Sequence, residues 1–211
     1  MTVIYLFFHA VLSSDTFMKQ DSILQEFKQA DALLQGHFIL SSGLHSDTYL
    51  QCARVMMDTQ RADRLCSALA DKVRASAIDI DIVVAPAMGG VIVGYEIGRQ
   101  LNLPTMFCER VDGTFTLRRG FRLEQGQKVL LVEDVVTTGK SSLETVECIK
   151  AYGAEVVAEA SLVDRSNGQH KLPFPLYSLL MLEVATFEAD NVPKHLQDVE
   201  AVKPGSRWLK S

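Results

Sequence analysis

At 211 residues, with 47% apolar and 22% charged side chains, the chain can bury a sizeable core in one generous domain and is too apolar for disorder. A formal charge of −5 excludes a broad positive field for nucleic acid or an anionic membrane, so any phosphate it handles must sit in a local pocket. The four cysteines, Cys52, Cys66, Cys108 and Cys148, form no CxxC pair and have no histidine at ligand spacing, which argues for reduced thiols in a cytoplasm and against a disulfide framework or zinc site.

Val3 to Leu12 is nearly all apolar, but it falls well short of the ~20 residues a spanning helix needs. No Lys or Arg precedes it, as a secretion signal would require. Residues 1–17 are therefore expected to be a poorly ordered extension or a misassigned start, with 18–211 forming a single domain. From there the pattern is regular. Ile23, Leu24, Phe27 and Leu34 predict an amphipathic helix over Ser22–Leu34. His37–Leu40, the turn Ser41-Ser42-Gly43 and Thr48–Leu50 predict a short hairpin. Asp58 or Thr59 can cap a helix whose apolar stripe is Ala62, Leu65, Cys66, Leu69 and Val73.

An α/β alternation follows. Strands are predicted at Ile80–Ala85, Thr105–Cys108, Val129–Val132, Val156–Val163 and Tyr177–Val184, and helices at Val91–Leu101 and Ser141–Tyr152. Apolar runs alternating with helices imply a parallel sheet covered on both faces. Between Cys108 and Lys128 the character changes. Residues 109–120, with Gly113 and Gly120, are charged and only weakly periodic, and can form a hairpin, a mobile loop or both. The stretch has few evident apolar anchors, and its place just before a phosphate motif favours a lid that is poorly ordered without ligand.

That motif is Val129-Leu130-Leu131-Val132-Glu133-Asp134-Val135-Val136-Thr137-Thr138-Gly139-Lys140-Ser141-Ser142. A buried strand ends in two carboxylates, then a loop of hydroxyls and glycine opens a helix. Free backbone N–H groups and the positive dipole end of that helix favour a phosphate. Gly139 permits close approach, and Thr137, Thr138 and Ser141 add hydroxyl donors. The carboxylates suit the paired hydroxyls of a sugar. Together these describe a seat for a ribose 5-phosphate, outside the carboxyl end of the strand. The spacing GxxxxGK[ST] of a Walker loop is missing. The plain alternative is an ordinary strand–loop–helix with a Ser/Thr cap.

Residues 129–142 resemble the phosphoribosyl pyrophosphate (PRPP) motif of type I phosphoribosyltransferases. The resemblance implies a central parallel sheet flanked by helices, with a small N-terminal hood (about 18–55) on a core (about 56–190). It implies that Glu133 and Asp134 hold the ribose 2′- and 3′-hydroxyls and that Val135, Val136, Thr137, Thr138, Gly139, Lys140 and Ser141 wrap the 5′-phosphate. Gly36 to Tyr49 is similar to the FxLxSGxxSxxY signature of the orotate-specific branch. Ala85-Pro86-Ala87-Met88-Gly89-Gly90-Val91 resembles the family's pyrophosphate loop, with Gly89 and Gly90 as backbone donors. Ser161 to Arg165 is similar to the strand end whose arginine meets orotate. The four blocks stand in the family's order over about residues 20 to 185.

A fixed guanidinium independently suits a base bearing a carboxylate and an imide edge. Arg165, with Thr137 beside it, is the candidate orotate contact; a surface ion pair of Arg165 with Asp164 is the alternative. Tyr49 and Phe38 are expected to pack rather than touch the base, and His37, His45, His170 and His195 to be structural or exposed. Family resemblance further implies Mg²⁺ carried by PRPP, with no direct protein ligand, and a homodimer sharing the lid across its interface. Two departures stand out. No lysine occurs between Lys72 and Lys128, so the catalytic cations offered by 109–120 are Arg110, Arg118 and Arg119. Lysines common in the family's pyrophosphate loop and N-terminal signature are replaced by Gly89 and Ser41. The rival readings are a phosphoribosyltransferase for a purine or uracil and a non-catalytic PRPP-sensing regulator of nucleic acid; the negative charge and the lack of a helix-turn-helix argue against the second.

Overall fold

A computed structural model describes residues 18–40 and 42–204. The expectation for residues 1–17 and the replacement at Ser41 lie outside the described residues. In chain order the elements are α1 (Gln20–Gln29), β1 (Leu33–Ile39), β2 (His45–Leu50), α2 (Cys52–Met56), α3 (Thr59–Ala75), β3 (Ile82–Pro86), α4 (Gly89–Leu101), β4 (Thr105–Val111), β5 (Thr114–Leu117), β6 (Lys128–Val136), α5 (Lys140–Lys150), β7 (Glu155–Asp164), β8 (Leu176–Met181) and α6 (Lys194–Gln197).

The main sheet runs β5-β4-β3-β6-β7-β8. Five strands are parallel, as the alternation predicts, and the edge strand β5 is antiparallel to β4. Two apolar layers cover it. On one face Leu65 and Leu69 of α3, Val93 and Ile97 of α4 and Ile23 and Phe27 of α1 pack on Val83, Leu130, Val132 and Ala160. On the other, Val146 and Ile149 of α5 pack on Ile82, Val84, Val129 and Leu131. Each fully buried leucine contributes about 2 kcal/mol. Asp58 caps α3, its carboxylate accepting from the N–H groups of Gln60 and Arg61.

Three local readings change. The first helix stops at Gln29, because Asp31 takes a left-handed conformation (φ 48°) and Leu33 and Leu34 enter β1. Second, the stretch after Cys108 is a hairpin: Cys108 pairs with Leu117 and Val111 with Thr114 across a turn at Asp112-Gly113. Phe115 and Leu117 are buried beneath it, so the hairpin has the apolar anchors that seemed lacking. Their period-two spacing was readable, but two threonines and flanking charges masked it. Third, the β1–β2 hairpin is completed by the chain's C-terminal part. Phe187 pairs with His45, Val202 with Phe38, and the His37 Nδ1 and Val199 carbonyl oxygen lie 2.9 Å apart.

Candidate active site

β3 and β6 are adjacent central strands, so the loops that leave their carboxyl ends open side by side. A Cβ built on Gly89 would lie 2.6 and 2.7 Å from the carboxylate oxygens of Asp134, and one on Gly90 would lie 2.8 Å from the Val132 carbonyl oxygen. The two glycine-bearing blocks, 45 residues apart in sequence (134 − 89), thus meet in space. A side chain at 89 would require the Asp134 carboxylate to move.

Beyond Asp134 the strand continues to Val136, and Thr137-Thr138-Gly139 turns into α5. Gly139 is left-handed (φ 76°) and caps α5 without a side-chain acceptor; Leu172 of the β7–β8 loop packs over it, 3.0 Å from where a Cβ would stand. Thr137, Thr138, Lys140 and Ser141 are exposed around the turn, whereas the Val136 side chain is buried, so Val136 can offer a ligand only its backbone. The result is a shallow cradle of N–H groups and hydroxyls at a helix start, suited to a phosphate.

The carboxylates differ from surface acids. Glu133 is buried, and burial, then Asp134, then Glu159 hold its carboxyl well above the usual range. Burial also raises Asp134, whose Oδ1 accepts the Val135 N–H at 2.9 Å. Hydrogen-bond donors from a sugar would favour the ionised form of both.

Arg165 stands at the end of β7, next to β6, its N–H donating to the Val136 carbonyl at 2.8 Å. No ion pair with Asp164 forms; Asp164 Oδ1 instead accepts the Ser166 N–H at 2.7 Å. Arg165 Nε is buried without a hydrogen-bond partner among the described residues, and burial holds the guanidinium below its usual range. A desolvated, incompletely paired guanidinium beside the acidic end of β6 suits an anion. Sequence reasoning missed Tyr49 as part of this neighbourhood. Its ring packs on Phe38 at 5.6 Å as expected, yet its phenol is raised by burial and then by Asp134 and Cys52, and lowered by Arg165. The available signal was its place at the end of the N-terminal signature. Of the four histidines, His37 and His45 form a pair 2.6 Å apart that holds the C-terminal part, His195 is exposed near Asp47, and His170 is half-buried with its Nδ1 lacking a hydrogen-bond partner among the described residues.

The hairpin arginines are not equivalent. Arg110 donates to the Gly113 carbonyl, pairs with Glu144 of α5 and lies 4.1 Å above the Phe115 ring. Arg119 forms a two-bonded pair with Glu109 over Phe107. The guanidiniums of Arg118 and of Arg122, a cation the sequence reading left aside, are exposed and have no ion pair or hydrogen bond among the described residues, and the Arg118 carbonyl accepts the Phe121 N–H at 2.9 Å.

On its outer side α4 presents Met88, Ile92 and Tyr95 at helical spacing, 83%, 57% and 67% exposed. Ile92 and Tyr95 border an apolar groove of about 300 Å³ that reaches Met106, Phe107 and Phe121 and offers phosphates nothing.

Residues 56–198 match the family described as phosphoribosyl transferase domain. The orotate phosphoribosyltransferase of Sphingopyxis alaskensis is 59% identical over 192 residues, 90% of this chain and 98% of that protein. That of Caulobacter vibrioides is 50% identical over 193 residues, covering 92% and 100%. Among solved structures, orotate phosphoribosyltransferase from Aeropyrum pernix superposes with a TM-score of 0.63 at 24% identity, covering 75% of this chain and 93% of that one. Adenine phosphoribosyltransferase from Thermoanaerobacter pseudethanolicus reaches 0.60 at 17% identity, covering 75% and 99%. The shape is therefore shared by enzymes of different bases, and the sequence likeness separates them.

Proposed function

The chain belongs to the phosphoribosyl transferase family, among its orotate phosphoribosyltransferases, and from that premise we propose how its residues join orotate to the ribose 5-phosphate of PRPP, giving orotidine 5′-monophosphate and pyrophosphate on the way to UMP. The observation that carries the reading is the close approach of Gly89 to the Asp134 carboxylate, which supports reading the first loop as a pyrophosphate seat and the β6 end as its neighbouring ribose seat.

Glu133 and Asp134 accept from the ribose 2′- and 3′-hydroxyls. Residues Val135 to Ser141 wrap the 5′-phosphate through backbone N–H groups and the hydroxyls of Thr137, Thr138 and Ser141, with Lys140 adding charge. Gly89 and Gly90 seat the pyrophosphate, and Arg165 meets orotate with Thr137 alongside. Departure of pyrophosphate builds positive charge on the anomeric carbon and negative charge on the leaving group. The acidic pair faces the first and the loop donors face the second, so electrostatic stabilisation with water excluded carries the reaction, without a covalent nucleophile. The sugar seat offers hard carboxylate and hydroxyl oxygens, which fit a ligand that carries Mg²⁺. Such an ion, carried by PRPP with no direct protein ligand, would supply charge neutralisation at the leaving group.

The hood is residues 18–55 on a core of 56–190. The reading places the enzyme in the cytoplasm: its described cysteines are free and buried, and no described helix is long and apolar enough to cross a membrane. The Met88–Ile92–Tyr95 stripe supports a homodimer, because a second copy of the same face would cover an apolar surface that begins at the pyrophosphate loop and borders the lid hairpin. A base panel with PRPP and Mg²⁺ tests the substrate. Orotate alone should consume PRPP; turnover with uracil or a purine and not with orotate would overturn the reading.

The hairpin assigns unequal parts to its arginines. Arg118→Ala should lower kcat more than it raises KM for PRPP, because charge on the departing group grows towards the transition state. Arg110→Ala and Arg119→Ala, whose guanidiniums are committed to Glu144 and Glu109, should cost less. Hydrogen exchange should be slow at buried Phe115 and Leu117 in the free protein, and protection on adding PRPP should appear at 111–114 and 118–120. Three active variants with no ligand-dependent protection would reduce this stretch to a surface hairpin.

A further inference from the structure

The sheet face beneath the phosphate helix carries polar chemistry that the reaction above does not use. In the register of β6 and β7, Leu131 lies beside Glu159 and Glu133 beside Ser161, so these side chains emerge together on the face that α5 covers. Ser142, in the first turn of α5, donates its hydroxyl to Glu159 Oε1 at 2.8 Å. Glu159, Ser142 and Ser161 are 0%, 2% and 0% exposed, and Glu159 Oε2 and Ser161 Oγ have no hydrogen-bond partner among the described residues. An ionised carboxylate enclosed with one bare oxygen is costly, whereas a neutral acid carries a proton on that oxygen.

We propose that Glu159 is a positioning residue for PRPP: as a neutral acid it anchors Ser142 and the first turn of α5, and it leaves Glu133 as the ionised partner of the two, free to accept from the ribose. The proposal rests on the reading that Glu133 binds the sugar. Around the pair stand Asp134 at the strand end, Asp164 further along β7, and Cys108 and Arg110 from β4. Arg110 is the cation of that group, and it favours charge on Glu133. Burial pushes Glu159 from 4.5 up to about 7, with the Ser142 bond opposing, while burial and then the Asp134 and Glu159 charges raise Glu133. Two enclosed acids within electrostatic reach do not both ionise cheaply, so holding the proton on Glu159 lets Glu133 lose its own at lower pH.

Glu159→Gln keeps an acceptor for Ser142 and is neutral at every pH. Because Glu159 already carries its proton on the acid limb of kcat/KM for PRPP, that limb should stay within about 0.2 pH unit of wild type. Plateau kcat should stay within about twofold of wild type. A raised acid pKa stabilises the fold fully below the unfolded value, and that stability is lost as pH rises through the folded one. The fall in Tm between pH 4.5 and 7 should accordingly be shallower in Glu159→Gln. An acid limb displaced by about half a pH unit or more, which would show charge on Glu159 there, or an unchanged Tm slope overturns the proposal, whatever uniform loss accompanies it. A measurement independent of that variant's folding is infrared spectroscopy of Glu133→Gln: the carbonyl band of a protonated buried carboxyl should be present at pH 6 and fade towards pH 8, and its absence at pH 6 also overturns the proposal. The same variant tests the premise. An unchanged KM for PRPP in Glu133→Gln would remove the ribose reading and the proposal with it, whereas an impaired Glu133→Gln beside a Glu159→Gln with an unchanged Tm slope removes the proposal alone.

Discussion

Asp134→Asn should lower kcat/KM for PRPP by about 100-fold, roughly 2.7 kcal/mol of transition-state stabilisation, and leave Tm nearly unchanged. The asymmetry follows from what Asp134 does in the fold. Its Oδ1 accepts the Val135 N–H, and an Asn oxygen can do the same. Burial disfavours its charge, so replacing the charge with an amide removes a cost that the free protein carries. For the ligand the change is adverse. One acceptor facing the sugar becomes an N–H₂ donor, and the negative charge near the developing positive charge at the anomeric carbon is lost. Steady-state kinetics with varied PRPP, beside thermal melts, check this. Normal turnover in the variant would sink the ribose assignment, and a fall in Tm matching the loss of activity would make Asp134 a structural residue.

Arg165→Ala should raise the KM for orotate by about 100-fold, with the KM for PRPP changing by less than about threefold, because a charge-assisted two-bonded contact to a carboxylate is among the stronger polar contacts available. The fold should tolerate the change. Arg165 is tied to its neighbour through its backbone N–H, which alanine keeps, and its Nε is enclosed without a partner. Removing a desolvated cation that no carboxylate compensates is expected to leave Tm level or to raise it. Arg165→Lys should recover only part of the orotate affinity, since a point charge cannot reproduce the planar fork. Equal effects on the two substrates would move Arg165 out of the base pocket.

What could be read from the sequence alone was whatever is contiguous. The stretch from Val129 to Ser142 holds a buried strand, its acidic end, a glycine turn and a helix start, and each is a local consequence of neighbouring residues, so this strand–turn–helix was legible before any fold was known. The α/β alternation was legible for the same reason, with errors at Leu34, where a turn at Asp31 outweighs helical spacing, and at Phe115 and Leu117, whose alternation is short and set among charges. Tertiary structure decided the relations between distant segments. Gly89 reaches Asp134 because β3 and β6 are neighbours in the sheet, Tyr49 reaches the electrostatic range of Arg165 because β2 lies near the β6 end, and Arg110 is committed to Glu144 because the hairpin lies against α5. Glu159 is the clearest case. In sequence it is one acid in a strand, and only the β6–β7 register and the packing of α5 enclose it beside Glu133 and Ser142, where the lost solvation gives its proton a part to play.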